Sequence, residues 1–263
     1  MSRHPKPPSR PTSPDPDSVR SESTPRHTTD SSAAVSAVRL AKDYGDGPAL
    51  LPLDVTVAAG ERVALIGHNG SGKTTFLRMA TGLLEPASGS VTVFGHAPGS
   101  LEARRRLSYL ADTPTFYEDL SVWEHLEYTA RLHARGDWQQ RAADLLGQLG
   151  IYERADDLPT RFSRGLKQKA AIAIAFVRPF DVMLVDEPFV GLDAEGKEAL
   201  VDLFDEASDA GAALVVATHE LGFVGKTRRT IALRDGALIF DGPSSEAQAR
   251  GLVSVEGSAE TDG

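Results

Sequence analysis

Eight consecutive residues, Gly67-His68-Asn69-Gly70-Ser71-Gly72-Lys73-Thr74, restrict what this chain can fold into more than any other segment. They match G-x-x-x-x-G-K-[ST], a pattern that works only where a strand runs into a tight glycine turn and then into a helix. Both flanks meet that demand. Residues 62–66 are rich in aliphatic and β-branched side chains, as a buried strand requires. Residues 74–84 carry apolar side chains at helical spacing and stop at Glu85-Pro86. In such a turn the glycines let backbone amides face inward around phosphate oxygens, and the positive end of the helix adds to that field. Asn69, Gly70, Ser71, Gly72, Lys73, Thr74 and Thr75 are therefore the expected nucleotide-phosphate site. Lys73 neutralises the β- and γ-phosphates, and the Thr74 hydroxyl is the expected Mg²⁺ ligand.

A phosphate loop needs a carboxylate partner for its metal. The run Val182-Met183-Leu184-Val185, followed by Asp186-Glu187, supplies one at the end of a buried strand. Asp186 is expected to hold the Mg²⁺ shell. Glu187, one residue further on, is placed to orient or deprotonate an attacking water.

Elsewhere, strands are predicted at 35–40, 53–57, 90–94, 107–110 and 213–217, with a hairpin around Asp235-Gly236. Ser121-Val122-Trp123-Glu124 is a capping-box sequence that opens a helix to about Arg135. Residues 138–149 form a second helix, closed by Gly150, and 165–177 a third. Three adjacent helices without a strand between them read as a helical insert, at about 113–178, in a parallel-sheet domain.

Phe162-Ser163-Arg164-Gly165-Leu166-Lys167-Gln168 opens the third of these helices and resembles the signature motif of ATP-binding-cassette ATPases. The resemblance runs from about Val35 to Gly242. It implies an α/β P-loop NTPase fold with a mostly parallel central sheet, an antiparallel β subdomain and an inserted helical subdomain. It also places Tyr44 where the family stacks an aromatic on adenine, makes Gly191-Leu192-Asp193 the dimer-contacting loop, and makes His219 the switch histidine that works beside Glu187. Taken alone, Tyr44 is a surface aromatic and His219 a strand-end histidine; order and spacing join them to the set. The resemblance implies head-to-tail dimers with a second copy or a homologous subunit. Each ATP then lies between one phosphate loop and the partner's Ser163 and Gly165. Binding closes the dimer and hydrolysis reopens it, driving a membrane permease by differential affinity.

Two departures from the family pattern stand out. The usual Leu-Ser-Gly-Gly-Gln is here Phe162-Ser163-Arg164-Gly165-Leu166, similar to a variant found in some export-type cassettes. Asp112 stands where the family normally has a glutamine that senses Mg²⁺, and a carboxylate there is expected close to the metal. Residues 116–120 resemble cassettes of haem-export or cytochrome c biogenesis systems. The segment around 113–123 is read as a groove for a permease helix, with Phe116, Leu120 and Trp123 beside Glu118 and Asp119.

Composition limits the remaining classes. With 28 Lys and Arg against 37 Asp and Glu, the net charge of -9 supplies no basic excess for nucleic acid. No cysteine is present, which removes thiolate metal sites and thiol nucleophiles. The longest apolar run, 170–177, is far short of the roughly 20 residues that span a bilayer. The expected location is therefore the cytoplasmic face of the cell membrane, through a permease on a separate chain. Residues 1–34 are read as a disordered tail, because seven prolines and ten Ser or Thr among the first thirty residues leave little to bury. The ATPase domain is placed at 35–250 and a flexible C-terminal tail at 251–263. The rival readings are a soluble non-transport cassette ATPase, an ATP-gated regulatory clamp, and a nucleotide kinase that shares only the phosphate loop. The first would need a tandem cassette or a long coiled-coil insertion, the second leaves Glu187 and His219 without a role, and the third leaves the signature unexplained.

Overall fold

The computed structural model describes residues 33–45, 47–249 and 251–252, so both expected tails lie almost entirely outside the described residues. The N-terminal boundary is corrected: Ala33 and Ala34 are buried and already belong to the first strand. That strand, β1 (Ala33–Asp43), pairs antiparallel with β2 (Pro48–Ala58) and β4 (Ser88–Val93) in a three-stranded sheet ordered β2-β1-β4. This is the expected antiparallel subdomain.

The second sheet has six strands, ordered β5-β6-β7-β3-β8-β9: β3 (Arg62–Ile66), β5 (Leu107–Leu110), β6 (Val182–Asp186), β7 (Ala213–Ala217), β8 (Arg229–Arg234) and β9 (Ala237–Pro243). All pair in parallel except β9, which turns back through Asp235 and Gly236. Both turn residues have positive φ, 48° and 77°, the geometry of a two-residue hairpin turn.

Period-two alternation explains why the central strands read as unbroken apolar runs. Val182 and Leu184 pack on the layer that holds the antiparallel sheet and α1 (Lys73–Thr81), whereas Met183 and Val185 pack on the opposite layer. That opposite layer contains α3 (Val122–Leu132), α4 (Trp138–Gln148), α5 (Arg164–Val177) and α6 (Ala194–Asp209). With both faces covered, no strand position in β6 can be polar until Asp186 at its end.

Several boundaries move. α1 ends at Thr81, because Gly82 adopts the left-handed conformation and donates its N–H back to the Met79 carbonyl. The capping box at Ser121 and Glu124 forms as expected, but α3 ends at Leu132. Four helices were not anticipated: α2 (Leu101–Arg106), α6, α7 (Leu221–Val224) and α8 (Ser244–Ala249). Beyond α8, Leu252 packs on a small apolar cluster with Phe240 and Ala247, so that part of the expected C-terminal tail belongs to the fold.

Candidate active site

At the carboxyl edge of the parallel sheet, the loop after β3 wraps a cavity of about 300 Å³ lined by Ala49, Asn69, Gly70, Ser71, Gly72, Lys73, Thr74, Thr75, Asp112 and Glu187. The loop is shaped by its glycines. A Cβ at Gly67 would fall 2.3 Å from the Leu233 carbonyl oxygen, and one at Gly72, where φ is 103°, 2.8 Å from that of Ala49. Gly72 precedes α1 without any side-chain cap, so the first amides of the helix are left for a ligand. Lys73 is buried and donates to the carbonyls of Gly67 at 2.6 Å and His68 at 3.3 Å.

Glu187 sits at the exit of β6 with φ at 46°, a conformation that non-glycine residues rarely adopt. Its N–H donates to the Ala217 carbonyl at 2.8 Å, tying it to the end of β7. Its side chain is held from both sides: Oε1 lies 3.5 Å from Lys73 Nζ, and Oε2 2.9 Å from Nδ1 of His219, just beyond β7. Two strand ends and the first residue of α1 thus converge on one carboxylate, an arrangement that orients it without a dedicated loop.

Asp186 is 1% exposed, and neither of its carboxylate oxygens has a hydrogen-bond partner. Burial pushes its carboxyl up; the Thr74 hydroxyl and Lys73 oppose this, and the charges of Asp112 and Glu187 reinforce it. Buried carboxylate oxygens without donors are costly. Beside a threonine hydroxyl, they are the donor set that a small divalent cation satisfies. No three His, Cys, Asp or Glu side chains among the described residues gather around a common metal position, so such an ion would draw its remaining ligands from phosphate and water. Asp112 lies two residues beyond β5, whose Leu110 is in register with Val185, and it lines the cavity as an exposed acid.

Other expected site residues lie apart from this cavity. Tyr44 is exposed just past β1, with Lys42 Nζ 5.4 Å from its ring centre, and does not line the cavity. Neither do Ser163 and Gly165. Ser163 caps α5 by accepting from the Leu166 N–H, and a Cβ at Gly165 would lie 2.5 Å from the Gly191 carbonyl oxygen. Asp193 caps α6, accepting from the Gly196 N–H at 2.8 Å, and pairs with Lys169 at 3.1 Å. Both hydrogen bonds and pairing hold the Asp193 carboxyl below the usual carboxylate range. Gln168, which the sequence reading left without a role, is buried and donates to the Pro188 carbonyl at 3.0 Å.

The expected groove at 113–123 is only partly realised. Trp123 packs on Trp138 inside the helical subdomain, with ring centres 5.4 Å apart. Phe116 does reach a cleft, a volume of about 930 Å³ between α2, β5 and the helical insert. Arg104, Arg105, His133 and Arg178 line that cleft, whereas Glu118 and Asp119 do not.

Comparison with known proteins fits this geometry. Residues 50–190 match the ABC transporter family. The chain is 36% identical over 215 residues to the SkfA peptide export ATP-binding protein SkfE of Bacillus subtilis (strain 168), covering 80% of this chain and 90% of that protein. A solved structure of an ATP-binding subunit of an ABC transporter superposes with a TM-score of 0.77 at 30% identity, covering 84% and 95% of the two chains. The cbiO1 protein of Clostridium perfringens, part of the ABC transporter complex cbiONQ, superposes with a TM-score of 0.68 at 25% identity, covering 84% and 93%.

Proposed function

Because this chain belongs to the ABC transporter family, as an ATP-binding subunit that hydrolyses ATP, we propose that it powers a permease on a separate chain, in the direction of export. Similarity to a peptide-export subunit supports the direction. Similarity to one component of a multi-subunit transporter complex supports the separate permease, and among the described residues no helix is long and apolar enough to cross a membrane. The chain then works at the cytoplasmic face of the membrane, and the permease selects the cargo.

The observation that carries the catalytic reading is Glu187, held at positive φ between Lys73 and His219 at the edge of the phosphate-loop cavity. In hydrolysis a water oxygen forms a bond to the γ-phosphorus, and the bond to the β–γ bridging oxygen breaks, its electron pair leaving with ADP. Glu187 orients that water and takes its proton. His219 fixes the Glu187 carboxylate and faces the γ-phosphate. Lys73 and the loop amides offset charge on the phosphate oxygens. Thr74 and Asp186 would hold Mg²⁺, with Asp112 as a further acid at the cavity; when bound, the ion would supply charge neutralisation for the phosphates. Ser163 and Gly165 serve the partner cassette's nucleotide and Asp193 the dimer contact, a reading favoured because none of the three lines its own chain's cavity. Tyr44 stacks on adenine outside the phosphate cavity.

Glu187→Gln keeps the side chain's size but removes its basicity. Turnover is expected to fall by about two to four orders of magnitude, ATP binding to persist, and an ATP-bound dimer to accumulate in size-exclusion chromatography. Normal turnover in the variant overturns the assignment.

The 930 Å³ cleft is the surface that best fits the permease. Leu83, Leu101 and Leu132 line it at 68%, 52% and 64% exposure, an apolar cost that a partner's apolar segment removes. Leu132→Asp is expected to abolish co-purification with the permease while nucleotide binding persists; intact assembly refutes the docking site.

A further inference from the structure

Glu187 and His219 make their 2.9 Å contact from two separate segments, one leaving β6 and the other β7. The Glu187 backbone is the less ordinary of the two. A non-glycine residue at φ 46° keeps that conformation only where its surroundings hold it from both sides. On one side stand β6 and the Glu187 N–H bonded to Ala217. On the other, two residues further along, Phe189 is buried. The His219 segment is held in the same manner. The Thr218 N–H donates to the Leu65 carbonyl at 3.1 Å, the Glu220 N–H donates to Thr218 Oγ1 at 2.9 Å, and Lys197 of α6 donates to Glu220 Oε2 at 2.9 Å. Four residues past His219, in α7, Phe223 is buried.

These two aromatic anchors meet. The rings of Phe189 and Phe223 have centres 5.5 Å apart and planes tilted by 49°. Both pack on Phe204 of α6, at 6.4 and 5.5 Å, and the Arg62 guanidinium lies 4.8 Å from the Phe223 ring centre. Interiors are close-packed, so a shorter side chain at 223 leaves a void beside Phe189 into which one of the two segments settles. The Glu187–His219 contact has little slack for this. A displacement of about half an ångström takes a 2.9 Å hydrogen bond outside its ordinary range.

We infer that Phe223 is a positioning residue for hydrolysis: packed against Phe189, it sets the spacing at which His219 meets Glu187. The inference rests on the catalytic reading of that pair and adds to it a buried ring that does not line the phosphate cavity. The loop after β3 grips the phosphates without either ring, so the effect falls on turnover and spares nucleotide binding.

The test is steady-state ATPase kinetics and equilibrium ATP binding by the full chain, at a temperature where the unfolding curve of each variant shows it folded. Phe223→Leu should lower kcat about tenfold and leave the ATP dissociation constant within about twofold of wild type. Phe223→Met fills nearly the same space and should recover most of the loss. Phe189→Leu opens the same contact from its other side, and it carries the test where Phe223→Leu is unstable. The Phe189→Leu and Phe223→Leu double variant should be no slower than the slower single one, because both remove one contact. Leu145→Ala, at a fully buried position of α4, controls for lost stability: it should lower Tm with kcat unchanged. Wild-type kcat in both leucine variants, losses that multiply in the double variant, a methionine variant as slow as Phe223→Leu, or a kcat that follows Tm through Leu145→Ala overturns the inference. His219→Ala separates it from the reading beneath it. Unchanged turnover in His219→Ala removes the catalytic pair itself, whereas a loss there with none in the leucine variants removes only the positioning role.

Discussion

Replacing Gly165 by alanine tests whether the signature glycine is needed within its own chain, before any partner is considered. The added Cβ would sit 2.5 Å from the Gly191 carbonyl oxygen, where ordinary contact begins at 3.4 Å, so helix and loop must part by about 0.9 Å. Neither side gives way easily. Gln168 is bonded to Pro188, Lys169 is paired with Asp193, and Gly191 itself turns at φ 84° where an added Cβ would already lie 3.2 Å from the Arg164 side chain. Overpacking of this kind costs about 1–3 kcal/mol. Alanine's helix-propensity gain, at most about 1 kcal/mol in a helix interior, is smaller at the second residue of a helix. The expected net loss of about 1–2.5 kcal/mol lowers Tm by roughly 2–10 °C in a chain of this size. The assay is thermal and urea unfolding of dilute, nucleotide-free protein, in which no partner contributes. A Tm within about 1 °C of wild type, together with lost ATPase activity, would refute the intrachain argument and place the whole requirement for Gly165 in the dimer.

Asp112→Ala is expected to raise the Mg²⁺ concentration needed for half-maximal ATPase activity, and Asp112→Gln to retain most activity; three superimposable magnesium titrations would remove Asp112 from the metal's surroundings. His133 also makes a pH prediction. Burial, helped by the charge of Arg178, lowers its pKa from the usual 6.5 to about 4. The unfolded chain therefore takes up the proton first, and stability present above pH 6.5 is lost as pH falls toward 4. His133→Gln should flatten that part of the acid limb in urea titrations, with solvent screening keeping the difference small; an unchanged slope between those pH values counts against it.

Much of the active site was legible because it lies where local patterns are strongest. The phosphate loop, the Asp186-Glu187 pair and the Ser121 capping box each depend on residues adjacent in sequence, and each appears at its expected place. His219 was reached through order alone, and the structure joins it to Glu187. Helix α6 was missed although Leu200, Leu203, Phe204 and Ala207 are buried at helical spacing and Asp193 caps it. The local signal for it is Asp193 itself, a residue type that caps helices, three residues before the Gly196 N–H that it accepts from. Gln168 was beyond reach, because its partner lies 20 residues away and no local signal announces it. The groove at 113–123 is realised only at Phe116, for a different reason: aromatic side chains in sequence do not reveal which of them turn inward, and Trp123 packs on Trp138.

Helix α5 and the segment 188–193 are joined at three points: Gly165 against Gly191, Gln168 to Pro188, and Lys169 to Asp193. The Gln168 bond is buried, and breaking it strands an amide at a cost of about 1–3 kcal/mol. Along the axis Gln168 stands only about 7.5 Å from Ser163, at the 1.5 Å rise of each residue. A load on the exposed tip of the helix therefore reaches Pro188 over little more than one turn, too short a span for bending to absorb it. Since Pro188 follows Glu187 directly, these contacts end one residue from the carboxylate to which the proposed mechanism gives the water. The buried link between helix and segment is a neutral amide hydrogen bond, which added salt does not screen.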